Sequence, residues 1–150
     1  MSYLLQTLRT KREVDEAIRN TDDLLLVLRF GREDDATCLQ LDEILSKTER
    51  HLSKMAVIRL VDVDAVPEYV QYFDITLIPA TVFFFNAQHM KCDYGTPDHT
   101  KWIGAFHSKQ DFIDLVEVLY RTALHGKFIA ARCPIDPKHI PKYTLIYNDI

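Results

Sequence analysis

The run LLLVLRF at residues 24–30 constrains the fold most strongly, because six of its seven residues are apolar. A short apolar run of this kind favours a strand buried on both faces, and such strands occur in sheets that helices cover on each side. The run MAVIRLVDVD at 55–64 predicts a second strand, and ITLIPATVFFFN at 75–86 predicts a turn that contains Pro79 and then a third strand. The chain therefore predicts a layered α/β structure with a sheet between helices.

Helical patterns alternate with these strands, and most begin at a clear start signal. Thr10 and Glu13 form a capping box before the first, and Asp35 is a suitable N-cap for the second. The predicted helices are residues 11–20, residues 36 to about 50, a short segment from Pro67, and a long segment from Ser108 that stops at Gly126. Asn86 predicts a hairpin after the third strand. The order α-β-α-β-α-β-β-α implies right-handed parallel crossovers and then a hairpin, hence a mixed central sheet.

Residues 1–126 are predicted to form one domain, and residues 127–150 a C-terminal extension of different composition. The extension holds four basic residues and three prolines, and proline favours extended backbone. Its apolar and aromatic side chains do not suit a free disordered segment; they are Ile140, Tyr143, Leu145, Ile146 and Tyr147. They either pack on the domain, which we favour, or contact a partner. Tyr143, Ile146 and Tyr147 are the candidates for partner contact.

Composition excludes several functional classes. The net charge is −4 and the pI about 5.8, which argues against a domain whose main role is to neutralise phosphates. No apolar run reaches the ~20 residues that a membrane span needs, and the N-terminal sequence lacks the features of a secretory signal. Three cysteines, an odd and sparse set, do not indicate a disulfide framework. We therefore expect a reducing compartment, either the cytosol or the nucleus.

The sequence patterns for metal, nucleotide and RNA sites are weak or missing. The six histidines are scattered without zinc-ligand spacing and are interpreted as surface or cap residues. The acidic run Glu33-Asp34-Asp35 is interpreted as a solvated loop with a cap, and Phe83–Phe85 as strand core, because an RNA-stacking platform needs basic charge around it. No metal and no cofactor are expected, and direct nucleic-acid binding is disfavoured.

Several motifs together resemble one known family. They are MSYLL at the start, EVDEAI, VLRFGREDDATCLQLDEIL, VDVDAVPEY, VFFFNAQHMKCDYG and VEVLYRTALHGK, with Ile-Pro-Ala-Thr before the Phe-rich strand. The element order and this proline turn resemble the thioredoxin fold. The whole chain resembles the spliceosomal thioredoxin-like proteins of the DIM type, also called thioredoxin-like protein 4. The tail PIDPKHIPKYTLIYNDI is similar to that of the 4B branch of the family.

The resemblance implies a degenerate redox site formed by Asp35, Cys38 and Pro79. Redox thioredoxins place two cysteines at this junction, and the first one attacks the disulfide; Asp35 stands at its position and Cys38 at that of the second. Arg29 stands where those enzymes have a buried acid, while Pro79 matches a proline with a cis peptide bond that faces the cysteine motif. A carboxylate cannot attack a disulfide, so no residue is assigned a catalytic role and the chain is not expected to be an enzyme.

Two alternatives remain open for these residues. Cys38 alone could serve a thiol-dependent enzyme of the redoxin class, and Pro79 could be kept only because the turn geometry requires it. Pairing of Cys38 with Cys92 or Cys133 has no support in the spacing. Three free thiols are favoured, and a regulatory disulfide is the alternative.

The functional expectations come from the resemblance and not from composition. It implies a protein-interaction module of pre-mRNA splicing in the nucleus, which contacts a pre-mRNA processing factor of the tri-snRNP and is needed for cell-cycle progression. The 4B branch is also associated with self-association, so a homodimer is a further expectation. Direct RNA binding is the third hypothesis, and it predicts affinity that falls steeply with salt.

Overall fold

The computed structural model describes residues 5–143 and arranges them as a seven-stranded mixed sheet with helices on both faces. In chain order the elements are β1 (Thr7–Leu8), α1 (Lys11–Asn20), β2 (Leu25–Gly31), α2 (Ala36–Thr48), β3 (Ala56–Asp62), α3 (Pro67–Tyr72), β4 (Ala80–Phe85), β5 (Gln88–Cys92), β6 (Trp102–Ile103), α4 (Lys109–Leu124) and β7 (Ile129–Ala130), followed by a 3-10 turn at Pro137–His139. The strands are ordered β1-β3-β2-β4-β5-β7, and β6 pairs with β4. The predicted α/β class with a mixed central sheet is confirmed.

Strand β2 lies in the centre of the sheet and sets the position of its neighbours. It is parallel to β3 along its whole length and antiparallel to β4. In this register Arg29 lies between Leu60 and Thr81, and Phe30 lies opposite Ala80. The C-terminal end of β2 therefore meets the start of β4, which brings the loop before α2 to the same edge as the turn before β4.

The side chains of β2 alternate between two separate hydrophobic cores, as a strand buried on both faces requires. Leu25 and Val27 belong to the core shared with α2 and α4, together with Phe83 and Phe85. The next residues along β2 point to the opposite core, shared with α1 and α3; they are Leu26, Leu28 and Phe30. All of these β2 residues are buried, which confirms the two-sided burial predicted from the apolar run.

The predicted capping signals explain where the helices begin. Thr10 accepts a hydrogen bond from the Glu13 N–H at 3.1 Å, and α1 spans the predicted residues 11–20. Ser108 likewise accepts from the Asp111 N–H at 3.2 Å at the start of α4. The second helix ends at Thr48, slightly before the predicted end. After α4, Gly126 has φ +77°, a left-handed conformation that favours glycine at a helix end.

The structure differs from some predictions. The strands β1, β6 and β7 are not predicted, because a two-residue strand is too short to show an alternating pattern. The interpretation of all six histidines as surface or cap residues is wrong for His89. This ring is partly buried on β5, stacks on Phe84 with 5.2 Å between centroids, and its Nε2 lies 2.8 Å from the Thr100 carbonyl oxygen.

Residues 127–143 lie against the domain. Strand β7 pairs in parallel with β5, and Ala130 and Ile135 are buried. His139 Nδ1 lies 2.9 Å from a carboxylate oxygen of Asp111 on α4. The 3-10 turn interrupts the extended backbone expected from the prolines. Within residues 5–143, every helix is too short or too polar to cross a membrane.

Candidate functional site

The junction between β2 and α2 holds Asp35 as the N-cap of the helix. Its Oδ2 accepts the Cys38 N–H at 2.9 Å, and its backbone is extended with φ −88° and ψ 129°. This hydrogen bond from the Cys38 backbone lowers the pKa of Asp35 below its ordinary value, and a second one from the Cys38 thiol adds to the effect. Asp35 is therefore an ionised carboxylate at neutral pH, and it satisfies N–H groups that would otherwise lack a partner.

The thiol of Cys38 is inaccessible and protonated. Its side chain is 0% exposed, and this burial is the largest cause that raises its pKa to about 11. The Asp35 carboxylate raises the pKa further, whereas the Arg32 backbone and the Arg29 charge oppose the rise. Since the thiolate is the nucleophile in disulfide exchange, Cys38 at neutral pH behaves as a small apolar side chain.

A buried ion pair lies behind the cysteine. Arg29 on β2 donates to Asp42 on α2 through two hydrogen bonds, Nε to Oδ1 at 2.8 Å and Nη2 to Oδ2 at 2.6 Å. Each residue is only 2% exposed. Burial raises the pKa of Asp42, and the Arg29 charge opposes the rise. Asp42 is not among the predicted site residues, although an acid beside Leu41 on an otherwise apolar helix face was the available signal.

Gly31 allows β2 and α2 to approach each other closely. A Cβ atom at this position would lie 2.5 Å from Cys38 Sγ and 2.7 Å from Nη1 of Arg29. These separations are too short for non-bonded atoms, so any larger residue would displace the cysteine or the guanidinium. The close packing of β2 against α2 therefore requires a glycine at position 31.

Pro79 lies at the same edge of the sheet. The Ile78–Pro79 peptide bond is cis, and the following residue, Ala80, pairs with Phe30 near the end of β2. Pro79 is buried, and its carbonyl accepts the Gly104 N–H at 2.8 Å. The structure thus brings Asp35, Cys38 and Pro79 to one edge of the sheet.

Two exposed leucines flank this edge. Leu39 follows Cys38 in the first turn of α2 and is 48% exposed, while Leu77 lies two residues before Pro79 and is 42% exposed. Both are large apolar side chains on residues close in sequence to the junction or to Pro79. They offer contact area, whereas the buried thiol does not.

Basic side chains neutralise the carboxylates around the junction. Arg32 forms two hydrogen bonds with Asp64, at 2.9 and 3.2 Å, and Arg9 contacts Glu33 at 3.0 Å and Asp62 at 3.4 Å. Among residues 5–143, there is no cluster of three or more His, Cys, Asp or Glu side chains arranged to hold a metal ion. The acidic loop is therefore part of a network of surface ion pairs.

The three partner-contact candidates are only partly described. The hydroxyl group of Tyr143 donates to Thr96 Oγ1 at 3.3 Å, so this residue contacts the domain. Ile146 and Tyr147 lie outside the described residues.

Cys92 and Cys133 lie side by side, although they are 41 positions apart and nothing in their spacing indicates it.

Comparisons with known proteins find similar sequences over most or all of the chain. Residues 4–137 match the family described as mitosis protein DIM1. Over 100% of both chains, the sequence is 65% identical to thioredoxin-like protein 4B of Homo sapiens. It is 37% identical to mitosis protein dim1 of Schizosaccharomyces pombe, covering 85% of this chain and 89% of that one. It is 36% identical to spliceosomal protein DIB1 of Saccharomyces cerevisiae, covering 92% and 96%.

Solved structures resemble the fold at low identity. Oxidised mitochondrial thioredoxin 3 from Saccharomyces cerevisiae matches with a TM-score of 0.62 and 20% identity, covering 78% of this chain and 98% of that chain. A thioredoxin from Plasmodium falciparum matches with a TM-score of 0.61 and 20% identity, covering 75% and 97%. The predicted thioredoxin-like fold is thereby confirmed.

Breaking the buried ion pair should be costly. We expect Asp42→Ala to lower the free energy of unfolding by about 3–5 kcal/mol, because the buried guanidinium of Arg29 loses its counter-charge. The double change Arg29→Met with Asp42→Leu should recover most of that loss, because no charge is left buried. Urea titration of the three proteins measures both effects; a cost below about 1 kcal/mol for Asp42→Ala would contradict the proposed role of the pair.

The cap at Asp35 should make stability depend on pH in acid. Its pKa is lower in the folded state than in the unfolded chain, so its stabilisation is complete above the ordinary aspartate pKa of about 4 and disappears as the pH falls through the folded-state value. We expect Asp35→Ala to cost about 1 kcal/mol at neutral pH and progressively less below about pH 4. Asp35→Asn is the matched control, since it keeps a neutral cap. A cost for Asp35→Ala that stays constant into acid, measured by urea titration at each pH, would rule out an ionised cap.

Proposed function

The chain belongs to the DIM1 family of thioredoxin-fold proteins, and from this membership we propose that it is a non-catalytic protein-interaction module of pre-mRNA splicing. The proposal places it in the nucleus, in association with spliceosomal small nuclear ribonucleoproteins, with a role in cell-cycle progression. Support comes from relatives that are named spliceosomal protein DIB1 and mitosis protein dim1. The family resemblance that the motifs indicated is confirmed by the match over residues 4–137.

The chemistry of Asp35 and Cys38 at the junction between β2 and α2 supports the non-catalytic part of the proposal. Dithiol exchange needs an accessible thiolate at the helix N-terminus and a second thiol to resolve the mixed disulfide. Here Asp35 supplies an oxygen acid at the attacking position, and Cys38 is buried and protonated. An enzyme using Cys38 alone would need this thiol to become both exposed and ionised, so the redoxin alternative is disfavoured.

The proposed partners are proteins, and they include a pre-mRNA processing factor of the tri-snRNP. The exposed Leu39 and Leu77 provide an apolar surface at the degenerate redox site. The end of the C-terminal extension, with Ile146 and Tyr147, is the second proposed contact. A homodimer that uses either surface is a further part of the proposal.

The proposed lack of thioredoxin-type catalysis can be tested directly. We expect the wild-type protein to reduce insulin no faster than the Cys38→Ser variant, because neither has an attacking thiolate at the N-terminus of α2. Asp35→Cys should be faster than both, since it restores two cysteines separated by two residues at the helix start. The measurement is insulin turbidity with dithiothreitol as reductant. Turnover by the wild-type protein that disappears in Cys38→Ser would reject the non-catalytic proposal.

Splicing association can be tested in nuclear extract. We expect the tagged full chain to recover spliceosomal small nuclear RNAs, and the double change Ile146→Ala with Tyr147→Ala to lower that recovery several-fold. Tyr72→Ala is the matched control, because Tyr72 is 76% exposed on α3, outside both proposed contacts. Failure of the wild-type chain to recover any of these RNAs would reject the splicing role.

Two further outcomes of this experiment locate the contact. Full recovery by the double variant would place the contact on the domain body and not on the extension. Direct RNA contact is tested separately with purified protein and RNA, because binding through phosphates weakens steeply with salt. Absent or salt-insensitive binding would leave protein contact as the route of association.

A further inference from the structure

The two cysteines outside the degenerate redox site are brought together by the edge of the sheet. Strand β7 lies parallel to β5, with Cys92 opposite Ala130. The Asp93 N–H donates to the Ala130 carbonyl at 3.2 Å, and the chain then turns so that the Cys133 N–H donates to the Asp93 carbonyl at 3.2 Å. Cys133 is thus held beside the residue that follows Cys92.

The two thiols lie close enough for each to shift the pKa of the other, and neither is in a disulfide bond. Cys92 belongs to the core shared with α2 and α4, and Cys133 packs against that core. Disulfides require Cα atoms about 4–7 Å apart and side chains that point toward each other. The backbone hydrogen bond between Cys133 and Asp93, the residue after Cys92, is compatible with that requirement.

The surroundings of the two thiols differ. Cys92 is 0% exposed, whereas Cys133 is only partly buried. The interaction with the Cys92 thiol is the largest cause that lowers the pKa of Cys133, and a hydrogen bond with the Ile135 backbone lowers it further against the effect of burial. The same interaction and burial raise the pKa of Cys92. Cys133 is therefore the reactive thiol. Cys92 is placed to attack the sulfenic acid that forms on Cys133 and so to complete a disulfide.

We propose that Cys92 and Cys133 are a redox modification site that a peroxide converts into a disulfide bond. The Cys133 thiolate attacks one oxygen of hydrogen peroxide, the O–O bond breaks, a sulfenic acid forms, and the hydroxide that leaves takes a proton from solvent to become water. The Cys92 thiol then attacks the Cys133 sulfur, the S–OH bond breaks, and the hydroxide leaves with the Cys92 proton as a second water. Two cysteine sulfurs lose two electrons in total, and the peroxide gains them.

The bond would attach the extension to the sheet covalently. In the reduced form, β7 is a two-residue edge strand, and a few hydrogen bonds hold it to β5 and Asp93. The disulfide would close a loop of roughly 40 residues that contains α4, and closure of a long loop stabilises a fold through the unfolded state. Peroxide would thereby favour the extension lying on the domain over any state in which it is released. The site is separate from Cys38 and does not depend on the proposed splicing role.

The proposal is tested by oxidising the reduced full-length chain with hydrogen peroxide. We expect the intact mass to fall by about 2 Da through loss of two hydrogens, and non-reducing trypsin digestion to give one linked pair, peptides 92–101 and 133–138. The thermal midpoint should rise by roughly 5 °C or more, and dithiothreitol should reverse every change. Modification without the 92–133 linkage, or linkage through Cys38, would overturn the proposal.

Matched variants separate the roles of the three cysteines. Cys38→Ala keeps the pair and should form the same linked peptides, whereas Cys133→Ala should form none. Cys92→Ser keeps a hydroxyl donor beside Cys133 but has no resolving sulfur, so dimedone should trap a sulfenic acid at Cys133. A linked product that forms only when Cys38 is present would assign the reaction to the degenerate redox site and contradict the proposal.

Discussion

The ion pair between Arg29 and Asp42 is the constraint on which the junction depends. Removing a guanidinium and a carboxylate from water is costly unless the two meet in good geometry. Two short hydrogen bonds therefore determine how α2 lies on β2, because a helix rotated or shifted along its axis would leave two buried charges unpaired. This placement puts Cys38 against Gly31, where there is no room for a Cβ atom.

The chemistry of the junction follows from that placement. A helix N-terminus normally favours a thiolate, because N–H groups and the dipole stabilise negative charge there. Here the Asp35 carboxylate already accepts the N–H group of Cys38, and burial leaves the thiol without solvent. The same fold feature that activates sulfur in redox thioredoxins therefore stabilises an aspartate cap in this protein. What remains available to a partner is surface, including the exposed Leu39 and Leu77 beside the site.

Sequence reasoning succeeded where the signal is local. Thr10 and Glu13 predicted the first helix, Asp35 predicted the start of the second, and the apolar run of β2 predicted burial on both faces. It failed where the signal is not local. The edge strands are too short to show a period, His89 is partly buried by contacts from Phe73 and Phe84, and Asp42 is recognisable as a partner of Arg29 only once α2 lies on β2.

The sequence by itself determined the α/β class, the family, and the loss of the attacking thiol, because each of these depends only on residue identity and local spacing. Only the tertiary structure decided which groups meet. Cys38 is inert because the packing of α2 on β2 removes it from water, and Cys92 meets Cys133 because β7 returns to the sheet edge beside β5. Contacts between residues distant in the chain depend on register and packing, and neither can be read from the order of the residues alone.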